Sequence, residues 1–293
     1  MKKLLILSGK GGTGKTTTAA AFIRFSKAKA IADCDVDAPN LHLVTAMQHA
    51  PKVSDFIGAK KASIDAATCT GCETCLAHCH FDAIRRIDGR CEIDEYACEG
   101  CGVCEYVCPT HAVSLQKDVA GRLELYEEET RFSTAELKMG RGNSGKLVAA
   151  VKQQLFEDTN EAEVAMIDGS PGIGCPVMAS VSGMDMVLIV TEPTVSGLND
   201  LERLVASIAT LKIDIAVCVN KYDVNPAQAE AVQNYCEEEG LLFAGKIPYD
   251  KTVSAYVNEG KSIAERTCPA SEALYEIYKK TMHSLMNEKG ETL

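Results

Sequence analysis

Nine of the fourteen cysteines fall between Cys69 and Cys108, and eight of them form two runs of identical spacing. The first run is Cys69-x-x-Cys72-x-x-Cys75-x-x-x-Cys79, and the second is Cys98-x-x-Cys101-x-x-Cys104-x-x-x-Cys108, followed by Pro109. Thiols at this density serve disulfides in an oxidising compartment or metal ligation in a reducing one. Three thiolates on one tight loop can face three irons of a cubic cluster. The fourth corner must come from elsewhere, and a second copy of the run can supply it. Gly71, Gly100 and Gly102 let the loops wrap closely and turn amide N–H groups toward sulfur. Structural zinc uses separated Cys pairs or Cys/His pairs. Two complete runs therefore point to two 4Fe-4S clusters.

A second chemistry lies upstream. Gly9-Lys10-Gly11-Gly12-Thr13-Gly14-Lys15-Thr16 has the spacing of a phosphate-binding loop, glycine then four residues then Gly-Lys-Thr. The apolar run Leu4–Leu7 before it reads as a strand, and Thr16–Lys27 after it carries a helical pattern. Backbone N–H groups of Gly11, Gly12, Thr13 and Gly14 can cradle phosphate oxygens at the positive end of that helix. Lys15 is placed to reach the β- and γ-phosphates and Thr16 to hold Mg2+, with Thr17 completing the first turn. Asp33, Asp35 and Asp37 follow a second strand near Ala28–Ala32. Clustered carboxylates there can hold Mg2+ waters and orient an attacking water. Asp35 and Asp37 are the two expected in these roles. Val164–Ile167 is a further apolar strand, and it ends in Asp168, expected beside the Mg2+.

The elements that must position these residues alternate. Met186–Thr191 and Ile213–Val219 read as buried strands; Gly145–Phe156, Gly197–Leu211 and Pro226–Glu239 read as helices. Strands alternating with helices predict an α/β fold, a mostly parallel P-loop sheet with helices on both faces. The cysteine-rich stretch interrupts it. The expected organisation is a discontinuous ATPase domain, 1–61 and 119–293, with a small inserted α+β module at 62–118.

Lys10 adds specificity to the loop. The string Lys10 to Thr16 resembles the deviant Walker A of the family containing MinD, ParA, Mrp and the nitrogenase iron protein. That resemblance implies that Lys10 crosses to a partner's nucleotide in an ATP-sandwich homodimer, or a heterodimer with a related ATPase. It assigns Lys10, Lys15, Asp35 and Asp37 to catalysis, Asp33–Leu41 to switch I, Asp168 to Walker B and Gly169–Gly174 to switch II. Asn220-Lys221-Tyr222-Asp223 and Ile247-Pro248-Tyr249-Asp250 resemble the family's base-reading and adenine-covering segments, implying that Asn220, Pro248 and Asp250 contact ATP or ADP. The cysteine runs resemble bacterial two-cluster ferredoxins, where the fourth cysteine of each run ligates the other cluster. This implies one cluster on Cys69, Cys72, Cys75 and Cys108, and another on Cys98, Cys101, Cys104 and Cys79. His80 stands where those ferredoxins carry Pro, a position that supplies no ligand. Cys91 falls outside the spacing and is expected as a small packed residue, as are Cys34 and Cys175. In the iron protein a cluster ligand matches Cys175, but Asn143 replaces its companion, so no interface cluster of that type is expected.

The net charge of -11 argues against a nucleic-acid partner. Met1-Lys2-Lys3 leads directly into the first strand, and no apolar run approaches the roughly 20 residues of a membrane span. A cytoplasmic protein without stable membrane insertion is expected. The tail from Ala273 reads as a last packed helix with a frayed end rather than a basic amphipathic anchor. The leading reading is an ATPase whose nucleotide state is coupled to electron transfer through the two clusters to an unidentified redox or iron–sulfur partner protein. An iron–sulfur or metallocofactor assembly ATPase and a MinD/ParA-like positioning ATPase with a redox-sensing module are the alternatives.

Overall fold

The computed structural model describes residues 1–45, 47–157 and 162–287, so the expected frayed end of the tail, 288–293, lies outside the described residues. In chain order the strands and helices are β1 (Lys2–Leu7), α1 (Lys15–Ser26), β2 (Ala30–Asp33), β3 (Lys52–Ile57), β4 (Lys61–Ile64), α2 (Thr74–Ala77), β5 (Ile84–Ile87), β6 (Arg90–Ile93), α3 (Val103–Tyr106) and β7 (Val113–Gln116). They continue with β8 (Val119–Glu127), β9 (Arg131–Leu137), α4 (Ser144–Phe156), β10 (Val164–Asp168), α5 (Cys175–Val181), β11 (Met186–Thr191) and α6 (Val195–Ile208). The last are β12 (Asp214–Asn220), α7 (Pro226–Glu238), β13 (Leu242–Ile247), α8 (Lys251–Asn258) and α9 (Pro269–Met286). Contacts divide the chain into two units. Met1–Val53, Leu123–Glu136 and Ser144–Leu293 form the first; Ser54–Arg122 and Leu137–Asn143 form the second.

The main sheet runs in the order β13-β12-β11-β1-β10-β2-β9-β8-β3. From β13 through β9 every neighbouring pair is parallel. A parallel strand buried on both faces needs continuous apolar sequence. Leu4, Leu5, Ile6 and Leu7 supply it in β1, all fully buried. Alternate side chains go to opposite faces. Leu4 and Ile6 pack with Phe22 and Ile23 of α1 and with Leu274 and Ile277 of α9. On the other face the side chains of Leu5 and Leu7 press against Gly169, where an added Cβ would lie 2.3 Å from Leu7 Cδ2. Register places Ile6 opposite Asp168, and Asp168 opposite Asp33. The carboxyl ends of β1, β10 and β2 therefore finish at one level, the position where open α/β sheets bind ligands.

The second unit is built differently. Its strands pair antiparallel, β4 with β7 and β5 with β6. The buried core is mostly thiols and alanines, Ala62, Cys75, Ala83, Cys91, Cys98, Cys108 and Ala112, with Ile84 and Val113 as its larger aliphatic members. So little apolar volume gives weak hydrophobic stabilisation, the situation in which small modules depend on metal or disulfides. All fourteen cysteines are free thiols.

Candidate functional site

In the first unit the glycine-rich loop takes backbone conformations that side chains resist. Gly12 has φ 80° and Gly14 has φ 96°. Gly14 also meets Asn220 so closely that a Cβ would lie 2.3 Å from its Nδ2. That nitrogen donates to the Thr13 carbonyl at 2.7 Å, tying the loop to the end of β12. Lys15 opens α1 and is buried, 6% exposed. Its ammonium donates to Asp168 Oδ1 at 2.8 Å and lies 3.5 Å from Asp35 Oδ2. The Thr16 hydroxyl donates to the other Asp168 oxygen at 2.7 Å. Asp168 itself is fully buried.

These charges set each other's proton affinity. Burial alone pushes the Lys15 ammonium down, but Asp168 and Asp35 outweigh it and its pKa is raised. Burial raises the Asp35 carboxyl, opposed by Lys15. Asp33 is raised to about 7, by burial first and then by the charge of Asp168. Geometry separates the two acids that sequence left equivalent: Asp35 faces Lys15, whereas Asp37 is exposed. It also reveals the role of Asp33. This carboxylate accepts N–H bonds from Asp35 at 3.0 Å, Asn40 at 3.0 Å and Leu41 at 2.9 Å, so it organises the whole 33–41 turn. The sequence signal was present, since an Asp ending a strand before a turn is a natural acceptor for turn N–H groups. The Ser170 hydroxyl donates to the Cys34 carbonyl at 2.6 Å, and Cys34 N–H donates to the Asp168 carbonyl at 2.7 Å. The two turns after β2 and β10 are thereby joined.

Lys10 lies 3.6 Å from Glu192 Oε2 and 3.5 Å from Ser196 Oγ; Lys221 donates to the other Glu192 oxygen at 2.7 Å. A cavity of about 250 Å3 is lined by Gly12, Gly14, Thr17, Asn220, Pro248 and Asp250, among others. Its far wall is held by Asp223, which accepts from Tyr249 N–H at 2.7 Å. Asp250 caps α8 by accepting from Thr252 N–H at 2.9 Å. Gly12, Gly14, Thr17, Asn220, Pro248 and Asp250 thus meet around one opening, although they are spread over most of the chain.

In the second unit the thiols line two cavities. One is bordered by Cys98, Cys101, Cys104 and Cys79. The other is bordered by Cys69, Cys72, Cys75 and Cys108. Each cavity has three cysteines from one run and the fourth from the other. Cys91, outside both runs, borders the second of these cavities and is buried. Backbone N–H groups already point at sulfur: Ala62 to Cys98 at 3.4 Å and Ala112 to Cys108 at 3.3 Å. Among the described residues no three His, Cys, Asp or Glu side chains converge on a single ion. Gly100 (φ 66°) explains how tightly the loop wraps, since a Cβ there would stand 1.9 Å from the Lys60 carbonyl oxygen. His78 and His80 are exposed, and His78 borders the first of these cavities; Cys175, expected as a packed residue, is instead exposed at the start of α5. No described helix is long and apolar enough to cross a membrane.

Residues 4–263 match the family described as the CobQ/CobB/MinD/ParA nucleotide binding domain. An uncharacterized protein of Methanocaldococcus jannaschii is 32% identical over 283 residues, 95% of each chain. The iron-sulfur cluster carrier protein of Pyrococcus abyssi is 26% identical over 99% of this chain and 88% of its own length. Among solved structures, the septum site-determining protein MinD of Pyrococcus horikoshii, complexed with Mg-ADP, superposes with a TM-score of 0.57 at 17% identity, covering 96% of this chain and 95% of its own.

Proposed function

The chain belongs to the CobQ/CobB/MinD/ParA nucleotide-binding family and is a P-loop ATPase, and on that premise we propose that its nucleotide state is coupled to electron transfer through two 4Fe-4S clusters to a partner protein. The observation that carries this reading is the pair of thiol-lined cavities, each bordered by the four cysteines that a crossed two-cluster arrangement requires. Cys69, Cys72, Cys75 and Cys108 hold one cluster, and Cys98, Cys101, Cys104 and Cys79 the other. Bound clusters supply one-electron redox chemistry.

At the nucleotide site this chain's own residues divide the work. The loop N–H groups and Lys15 take the phosphates, and Lys15 exchanges a carboxylate oxygen for a phosphate oxygen. Thr16 and Asp168 hold Mg2+. Asp35, already 3.5 Å from Lys15, orients the attacking water, while Asp33 fixes the turn that carries it. Asn220, Pro248 and Asp250 border the adenine. Lys10 serves a second nucleotide site across an ATP sandwich, formed by a homodimer or with a related ATPase. The coupling idea rests on connectivity: the second unit begins at Ser54, shortly after the 33–41 turn in the chain.

The test is anaerobic preparation of the full chain, iron and sulfide assay, and redox titration with ATP or ADP. About eight irons per chain are expected from two four-iron clusters. Midpoint potential or transfer rate to an acceptor should change with nucleotide, and Lys15→Ala should abolish that dependence. Identical behaviour in ATP, ADP and Lys15→Ala defeats the coupling; iron-free protein after reconstitution defeats the cluster assignment. A second reading, cluster assembly, is favoured by the Pyrococcus abyssi relative. Transfer of labelled iron to an apo-acceptor distinguishes it from retained clusters.

A further inference from the structure

The second unit repeats itself, and the repeat is broken at one informative place. Asp65 precedes the first run and Asp94 the second, four residues ahead of Cys69 and Cys98 respectively. Both aspartate carbonyls accept from the N–H of those cysteines at 3.0 Å, and both aspartate N–H groups donate at 2.8 Å, to Ala112 and Ala83. Gly71 packs against the Gly89 carbonyl as Gly100 packs against that of Lys60. Ala62 stands seven residues before Cys69, and Cys91 seven before Cys98. These two are therefore equivalent positions. Each borders the cavity of the opposite run, Ala62 beside Cys98, Cys101, Cys104 and Cys79, and Cys91 beside Cys69, Cys72, Cys75 and Cys108. One cavity has a methyl group where the other has a thiol.

We propose that Cys91 is a fifth thiol of one cluster site, donating an S–H hydrogen bond to a sulfur of that site and holding that cluster at a higher reduction potential than its twin. The inference rests on the cluster reading above. Cys91 borders the same cavity as Cys69, Cys72, Cys75 and Cys108 and is only 4% exposed. A thiol is a weak donor, but water does not compete for a buried one. Reduction adds one electron, whose charge spreads onto the ligand sulfurs. A donor aimed at sulfur stabilises the reduced cluster more than the oxidised one, which raises the potential. Ala62 offers no side-chain donor to the other cluster. The asymmetry gives two otherwise repeated sites distinct potentials, so an electron entering the module settles preferentially on the Cys69/Cys72/Cys75/Cys108 side.

The experiment is a spectroscopically monitored redox titration of the reconstituted full chain, with Cys91→Ala, Cys91→Ser and Ala62→Cys. Two separate waves are expected in the parent. Cys91→Ala should lower the upper wave alone, by up to about tenfold in the one-electron equilibrium constant, or 59 mV. Cys91→Ser keeps a donor and should restore most of that shift, whereas Ala62→Cys should raise the lower wave. Unmoved waves, both waves moving together, or equal effects of Ala and Ser overturn the proposal, the last because it leaves only packing. If Cys91→Ala fails to load iron, Ala62→Cys decides, and no rise of the lower wave overturns it. Parent protein without iron defeats the cluster reading itself; a full load with unmoved waves defeats this inference alone.

Discussion

Replacing Asp33 by Asn isolates the energetic consequence of burying a carboxyl beside Asp168. Asp33 is fully buried, and burial together with the Asp168 charge lifts its carboxyl from 3.8 to about 7. A group whose pKa is higher in the folded than in the unfolded chain binds protons more readily when folded. Its stabilising contribution is present in full below about pH 4 and is lost as pH rises through 7. At 1.36 kcal/mol per pH unit, the interval from pH 5 to 7 is worth about 3 kcal/mol to the Asp33, Asp168 and Lys15 cluster. Asn cannot titrate. It keeps an acceptor oxygen for part of the 33–41 turn but forfeits at least one of the three backbone bonds, at about 0.5–1.5 kcal/mol for the neutral carboxyl present at pH 5. Asp33→Asn should therefore be the less stable protein at pH 5 and should gain on the parent by about 3 kcal/mol by pH 8. Urea unfolding followed by far-ultraviolet circular dichroism, under anaerobic conditions at several pH values, measures the difference. A stability gap that stays constant across that range, or widens with pH, refutes the argument.

Lys15→Met leaves Asp168 and Asp35 without their cation; it should cost about 3–5 kcal/mol of stability as well as nucleotide binding, with urea midpoints and nucleotide titration as the measurements. Ser170→Ala removes the buried bond to the Cys34 carbonyl, which is expected to cost about 1–3 kcal/mol and to slow ATP hydrolysis more than it weakens ATP binding, read from kcat against KM. Gly14→Ala drives a methyl into Asn220 at a backbone angle that L residues avoid, so nucleotide affinity should fall while the second unit keeps its iron, checked by binding and iron assay on one preparation. Gly100→Ala makes the converse cut: the clash with the Lys60 carbonyl should reduce the iron load and leave ATP binding unchanged.

The amino-acid sequence by itself determined whatever depends on neighbours along the chain. A glycine-rich loop between an apolar strand and a helix is a local object, and its residues occupy those places: β1 ends at Leu7 and α1 begins at Lys15. The buried strands were legible for the same reason, because runs such as Val164–Ile167 are apolar on both faces and can only sit inside a covered parallel sheet. The spacing of the cysteine runs is local too. Tertiary structure decided what depends on register and on crossings between distant segments. Asp35 and Asp37 are indistinguishable in the sequence, yet alignment of β2 with β10 turns one toward Lys15 and leaves the other in solvent. Asp33 became a scaffold only when the turn folded back onto its carboxylate. Asn220, Pro248 and Asp250 lie far from the glycine loop in sequence and meet it only because β12 and β13 bring them to the same cavity. Cys91 looked like packing because it falls outside the two ligand runs. Its equivalence to Ala62 can be counted along the chain, but its place in the wall of the cavity bordered by Cys69, Cys72, Cys75 and Cys108 is decided only by the fold.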